Sequence, residues 1–252
     1  MRHIILLNVL FILLSPAILF SQIARTLSYQ GVLNDTLGNP KAAVAQDSYT
    51  VTSLGDGGAW DNADTGFDES SDGVCDDGTG LCTLRAALEE AANRENSVIV
   101  NFGVSGTIGT TGDFFVPDNS QIIGNNRAIT INSSGIGFYG DDNITITNII
   151  IRVNSQESVC FVGSNSTIKG VHILGGGVGI GVVDNCMIGG PSEQDRNVIG
   201  GCTVMGISIG GNGNTVIGNY IGVDTTGNTA LANFVGIGIS GGAGNIIGGG
   251  TP

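Results

Sequence analysis

Residues 165–170 read NSTIKG, 185–190 NCMIGG, 197–201 NVIGG, 214–219 NTVIGN and 245–249 NIIGG, with the companions GISI at 206–209 and GIGI at 236–239. The shared phrase is an Asn, two or three residues ending in Ile, and a Gly close behind. A short apolar run bounded by Asn and Gly is what one coil of a solenoid requires. The chain therefore reads as all-β, a parallel β-helix. In that fold each inward Ile or Val stacks on its counterpart one coil away, with strands about 4.8 Å apart. Asn165, Asn185, Asn214 and Asn245 read as structural turn residues. Asn tolerates left-handed dihedrals at a tight corner and its amide can bond the same amide in the next coil, while Gly takes the remaining positive-φ positions.

The same signature extends outward. Apolar runs recur at 121–124 (QIIG), 128–132 (AITIN), 143–148 (NITITN) and 171–174 (VHIL). The marker Asn steps from 143 to 165 to 185, near the length of one coil of three short strands, and then more widely to 214 and 245. Longer turns, QDRNVIGGC and YIGVDTTGNTALAN, account for the wider steps. NCMIGGP at Asn185 returns as NIIGGGTP at Asn245, so two alternating phrases make one larger unit. The second copy stops at Pro252, and the chain is expected to be a fragment of a longer protein. The β-helix is assigned to 111–252.

Composition narrows the alternatives. With 43 Gly and 12% charged residues in 252, the chain is unlike an ordinary globular domain, and its abundant aliphatic residues argue against disorder. The net charge of −13 speaks against nucleic acid or anionic lipid as partners, since both reward Lys and Arg. Arg2 and His3 precede the apolar run IILLNVLFILLSPAILF, so residues 1–21 read as a secretory signal peptide. Asn8 and Pro16 interrupt the run, which argues against a membrane anchor, and no second segment could insert. A secreted or cell-surface location follows. Residues 22–46 read as leader and linker.

Residues 47–110 read as a cap. SYTVTSL from Ser48 alternates like a strand. The acidic, Gly-rich loop that follows offers Asp61, Asp64, Asp68 and Asp72 as oxygen ligands for calcium; no other cofactor is expected. Cys75 and Cys82 bracket the loop DDGTGL, whose glycines let it close, and are expected to pair in an exported protein. In TLRAALEEAANR, Leu84, Ala87, Leu88 and Ala91 fall at helical spacing with charge on the opposite face, and Thr83 is placed to cap the first turn. This amphipathic helix would cover the open N-terminal end of the sheet stack.

The stretch DGVCDDGTGLCTLRAALEEAANR, followed by a strand and GTI, resembles the CSLREA domain, a module near the N-terminus of secreted bacterial proteins that often precedes a right-handed parallel β-helix of the pectin-lyase-like kind. Here the signature runs Cys82, Thr83, Leu84, Arg85, Ala86, Ala87, with Thr for Ser and Ala for Glu. The later phrases likewise resemble the tandem repeats of bacterial β-helix proteins. The resemblance implies export and fold; the module carries no established catalytic role.

Catalytic signals are sparse. Carbohydrate-active β-helix enzymes need paired carboxylates or a base with calcium. The candidates are Asp141, Asp142, Arg152, Lys169 and His172, none in a recognisable motif. The leading expectation is a surface that binds or adheres to polysaccharide or cell-surface glycans. A polysaccharide lyase or glycoside hydrolase, and a structural stalk, are the alternatives. Convergence of the five candidates in one groove would favour the enzyme, and dispersal would favour display.

Overall fold

The computed structural model describes residues 46–56 and 73–249. The expected signal peptide, nearly all of the linker, and Asp61, Asp64, Asp68 and Asp72 lie outside the described residues.

Strand β1 (Gln46–Val51) and helix α1 (Leu84–Asn93) come first. Coils of three strands follow: β2 (Ser97–Phe102), β3 (Gly106–Thr110) and β4 (Phe114–Val116); β5 (Gln121–Ile123), β6 (Ile129–Ser133) and β7 (Phe138–Gly140); β8 (Thr145–Thr147), β9 (Ile150–Val153) and β10 (Cys160–Val162). The next are β11 (Thr167–Lys169), β12 (His172–Gly175) and β13 (Val178–Val182); β14 (Met187–Gly189), β15 (Val198–Gly200) and β16 (Met205–Ile209); β17 (Thr215–Ile217), β18 (Tyr220–Ile221) and β19 (Val235–Ile239). Strand β20 (Ile246–Ile247) opens another coil.

Every strand pairs in parallel with the equivalent strand one coil away, which makes three sheets. Sheet 1 runs β1-β2-β5-β8-β11-β14-β17-β20, sheet 2 β3-β6-β9-β12-β15-β18, and sheet 3 β4-β7-β10-β13-β16-β19. The molecule is a parallel β-solenoid, as the repeats predict. Strands β2 and β3 belong to the same sheets as all later coils, so the boundary expected at residue 110 falls inside the first coil.

The core consists of three columns of inward side chains. Sheet 1 contributes Val100, Ile122, Ile146, Ile168, Ile188 and Val216 in register. Sheet 2 contributes Ile108, Ile131, Ile151, Ile173 and Ile199, and sheet 3 Phe114, Phe138, Cys160, Ile180 and Ile207. All are buried, and each apolar member contributes roughly 1.5–3 kcal/mol of transfer free energy.

The corner between sheets 3 and 1 explains the repeated Asn. Its left-handed position is held by Asn119, Asn143, Asn165 and Asn185, and then by Gly213 and Gly244. The residue after it points inward: Ser120, Ser166, Asn214 and Asn245 each accept a backbone N–H from the coil before. Those donors are Val98 at 2.8 Å, Ile144 at 3.0 Å, and Cys186 and Asn214 at 2.9 Å. The residue preceding the left-handed one works in the opposite sense. Asp118 accepts from the N–H of Asp142, Asp142 from Ser164, Asp184 from Asn212, and Asn212 from Ala243.

Asn165, Asn185, Asn214 and Asn245, a single class by sequence, thus occupy two adjacent positions with different tasks. The first two adopt the turn conformation and the second two plug the corner. Asn197, Asn219 and Asn233 plug the other two corners in the same way, accepting from Val171, Asn197 and Cys202.

Helix α1 starts at Thr83, whose Oγ1 accepts from the N–H of Ala86 at 3.1 Å. Leu84, Ala87, Leu88 and Ala91 are buried, and the helix packs on β1, β2 and β4, at the N-terminal end of the stack. The charged face expected on the other side is not uniformly solvated: Arg85 and Glu90 are buried too. Arg85 is neutralised by Asp56 from the distant end of the first strand segment. Glu90 accepts from the Gly73 N–H at 2.6 Å and lies 3.7 Å from Arg94. Cys75 and Cys82 form a disulfide, and Cys160, Cys186 and Cys202 are free and buried. No helix among the described residues is long and apolar enough to cross a membrane.

Candidate functional site

On the outer face of sheet 3 the middle residue of each early strand is aromatic. The registers align Phe115 with Tyr139, Tyr139 with Phe161, and Phe161 with Gly181. Phe115, Tyr139 and Phe161 keep 37%, 38% and 47% of their surface exposed, an unusual outlay of aromatic area to water. The rings of Phe115 and Tyr139 are 5.3 Å apart and tilted by 53°. A Cβ on Gly181 would run into the Phe161 ring, so this glycine makes room for the aromatic over the next coil. Beyond it Ser208 and Gly238 continue the column, and the stripe ends.

Beside the stripe lies a cleft of about 620 Å³ between α1 and the start of sheet 3. Phe115 and Tyr139 form one wall, Leu88, Glu89 and Ala92 of the helix another, and Asp56, Arg85 and Asp113 the base. Arg85 is fully committed. Its Nε and Nη2 bond the two oxygens of Asp56 at 2.9 and 3.2 Å, and Nη2 also reaches Thr110 Oγ1 at 2.9 Å. Nη1 reaches the Asp113 carbonyl at 3.1 Å, and the guanidinium sits 4.7 Å from the Phe114 ring centre. Asp113 is also occupied, since its Oδ1 accepts the Ile136 N–H at 2.6 Å.

Glu89 is the carboxyl left facing the cleft, 3.9 Å from Arg85 Nη1. Burial pushes its pKa above the usual carboxyl range, Arg85 opposes that shift and Asp56 adds to it. A cleft with an aromatic wall and a carboxyl on its rim can stack a ring and accept hydrogen bonds from its hydroxyls.

The catalytic candidates do not share this site. Asp141 and Asp142 lie at the corner between sheets 3 and 1, where Asp142 Oδ1 is taken by the Ser164 N–H at 2.6 Å. Arg152 stands on β9 between Asn132 and Leu174. Lys169 ends β11 and pairs with Asp195 at 3.2 Å. His172 opens β12, half-buried. The five are spread over different faces, and the structure brings no pair of them together as an acid and a base. Among the described residues no group of three or more His, Cys, Asp or Glu is gathered to hold a metal.

Sequence reasoning passed over Phe115, Tyr139 and Phe161. The signal was present in the triplets FFV, FYG and CFV, whose central aromatics recur at the coil interval. The chain matches no protein-family model, no curated protein and no solved structure.

Proposed function

We propose that this is a secreted or cell-surface β-helix protein that binds glycans on the outer face of sheet 3. The observation that carries the reading is the exposed stripe of Phe115, Tyr139 and Phe161 running along the solenoid axis into the cleft beside α1. Aromatic side chains present large, rigid apolar faces against which the apolar faces of sugar rings can stack. Successive rings one coil apart offer a chain-like ligand repeated contacts, and Glu89 supplies an acceptor for hydroxyls. The charge of −13 disfavours polyanions and favours neutral glycans. The likeness of residues 49–110 to the CSLREA module supports export and a capping role for α1. Dispersal of Asp141, Asp142, Arg152, Lys169 and His172 favours display over lyase or hydrolase chemistry.

The test is affinity electrophoresis and calorimetry against a panel of neutral polysaccharides, with calcium and with chelator, comparing the parent with Tyr139→Ala and Phe161→Ala. Retention by at least one polysaccharide is expected, weakened about tenfold by Tyr139→Ala, which corresponds to about 1.4 kcal/mol. Undiminished binding after replacing all three aromatics would overturn the assignment, as would steady release of reducing ends.

A further inference from the structure

Sheet 2 carries a second recess, of about 350 Å³, far from the aromatic stripe in both sequence and face. Its floor is the in-register row His172, Val198 and Tyr220. The long turns 190–197 and 222–231 wall it, and Arg127 closes the N-terminal side.

Two guanidinium groups converge here. Arg127 Nε donates to the Gly170 carbonyl at 2.9 Å and Nη2 to that of Gln194 at 3.4 Å, reaching across coils remote in sequence. Arg196 Nε donates to the Gly218 carbonyl at 3.2 Å, and its plane lies 4.2 Å over the Tyr220 ring. Each fork is pinned by backbone carbonyls, which carry only partial charge. Among the described residues neither has a carboxylate in ion-pair range, which Arg152 on β9 also lacks, whereas Arg85, Arg94 and Lys169 all do. In a chain with 22 acidic residues against 9 basic ones, two uncompensated cations beside one recess need a reason.

Backbone geometry adds a second reason. Arg127 sits at φ 63°, in the left-handed region, which costs a residue with a Cβ about 1–2 kcal/mol. Such outliers persist where the surroundings hold them for a purpose. His172 lines the same recess, and its Nδ1 is buried with no hydrogen-bond partner among the described residues.

We propose that this recess binds a single small oxyanion, gripped by the free guanidinium N–H groups of Arg127 and Arg196 with His172 as a hydrogen-bonding neighbour. Planar guanidinium forks match the oxygen edges of sulfate, phosphate and carboxylate alike. Glu193, the one carboxylate lining the recess, and the net charge of −13 disfavour extended polyanions, so the ligand carries one anionic group. Burial and the Arg127 charge hold His172 down to about 4, which keeps its ring neutral near pH 7. The recess is independent of the glycan reading, because it shares no residue with the cleft beside α1.

The experiment titrates the whole chain with sodium sulfate, phosphate and acetate at constant ionic strength, with sodium chloride as the reference. Calorimetry reports binding and proton NMR follows His172. Saturable binding of at least one oxyanion is expected, with a rise in the His172 midpoint as the added charge offsets Arg127. Arg196→Gln and Arg127→Gln should each weaken it about tenfold, and Glu193→Gln should tighten it severalfold. Should Arg127→Gln unfold the protein, Arg196→Gln and Glu193→Gln still decide the matter. Heats equal to those of chloride for all three salts would overturn the proposal. So would unchanged affinity in Arg196→Gln. The relative affinities of sulfate, phosphate and acetate distinguish a tetrahedral from a planar ligand.

Discussion

The side-chain oxygen of Asn245 accepts two hydrogen bonds from Asn214 one coil before it, from the backbone N–H at 2.9 Å and from Nδ2 at 3.0 Å. Asn214 in turn accepts from Cys186 N–H at 2.9 Å and donates Nδ2 to the Val183 carbonyl at 2.8 Å. Asn214 is completely buried. Its removal leaves the Cys186 N–H without an acceptor, and an orphaned buried donor costs about 1–3 kcal/mol. Asn214→Ala should therefore lower stability by about 2 kcal/mol in urea unfolding. Asn214→Ser should lose less, because Ser120 and Ser166 already serve as acceptors in the same column. Equal losses for the two variants would contradict the assignment.

Asn185 belongs to the neighbouring column and should respond differently. Its φ is 55°, and the same position holds Gly213 and Gly244 in later coils. Asn185→Gly should change stability by only a few tenths of a kcal/mol, whereas Asn185→Val, which forces a β-branched residue into the left-handed region, should cost about 1–2 kcal/mol. Thermal unfolding of the pair separates the two columns in one comparison.

Arg85 ties the helix to the solenoid. Its side chain is 8% exposed and holds Asp56, Thr110 and the Asp113 carbonyl. Replacing one member of a buried pair strands the other charge. Arg85→Met should cost about 2–3 kcal/mol, and Asp56→Asn in that background should recover part of it. A double-mutant cycle showing strict additivity would refute the coupling.

His172 offers a pH test with a clear sign. Its ring is held down to about 4 from 6.5, chiefly by burial and then by the charge of Arg127. The folded state favours the neutral ring, so the stability it contributes is complete above pH 6.5. It is lost as the pH falls through about 4. The chain contains only one other histidine, His3, so the imidazole proton signals are readily assigned. Arg127→Gln should move the midpoint upward.

Thiol counting tests the cysteine assignments. Burial raises the thiol pKa of Cys160, Cys186 and Cys202, and the thiolate is the reactive form. A thiol reagent should find almost no reactive cysteine in the native protein and three per chain after unfolding without reductant. Five would show that Cys75 and Cys82 are unbonded.

Much of this architecture is legible in the residues. Inward Ile and Val recur at nearly constant spacing because each must stack on the last, and Leu84, Ala87, Leu88 and Ala91 mark the helix by their own periodicity. The slip at Gly213 and Asn214 shows where legibility ends. Asn suits both the left-handed corner and the inward plug, Gly competes for the first role only, and spacing alone cannot tell which role an Asn has taken. Burial of Arg85 was equally hidden, because its partner Asp56 comes from a segment 29 residues away. The stripe of Phe115, Tyr139 and Phe161 becomes visible only once coil register is known. Arg127 and Arg196 meet through folding alone, since nothing local connects them.

The opposed corner ladders give the molecule a mechanical grain. Bonds from Asn and Ser plugs run toward one end of the axis and those from Asp118, Asp142 and Asp184 toward the other, alongside the sheet bonds that join the same coils. A load applied evenly across one coil boundary meets all of them in parallel and must rupture them together. A load that peels a single strand from the edge meets them one after another. The same contacts thus resist a load shared across a whole coil boundary better than one that peels a single strand.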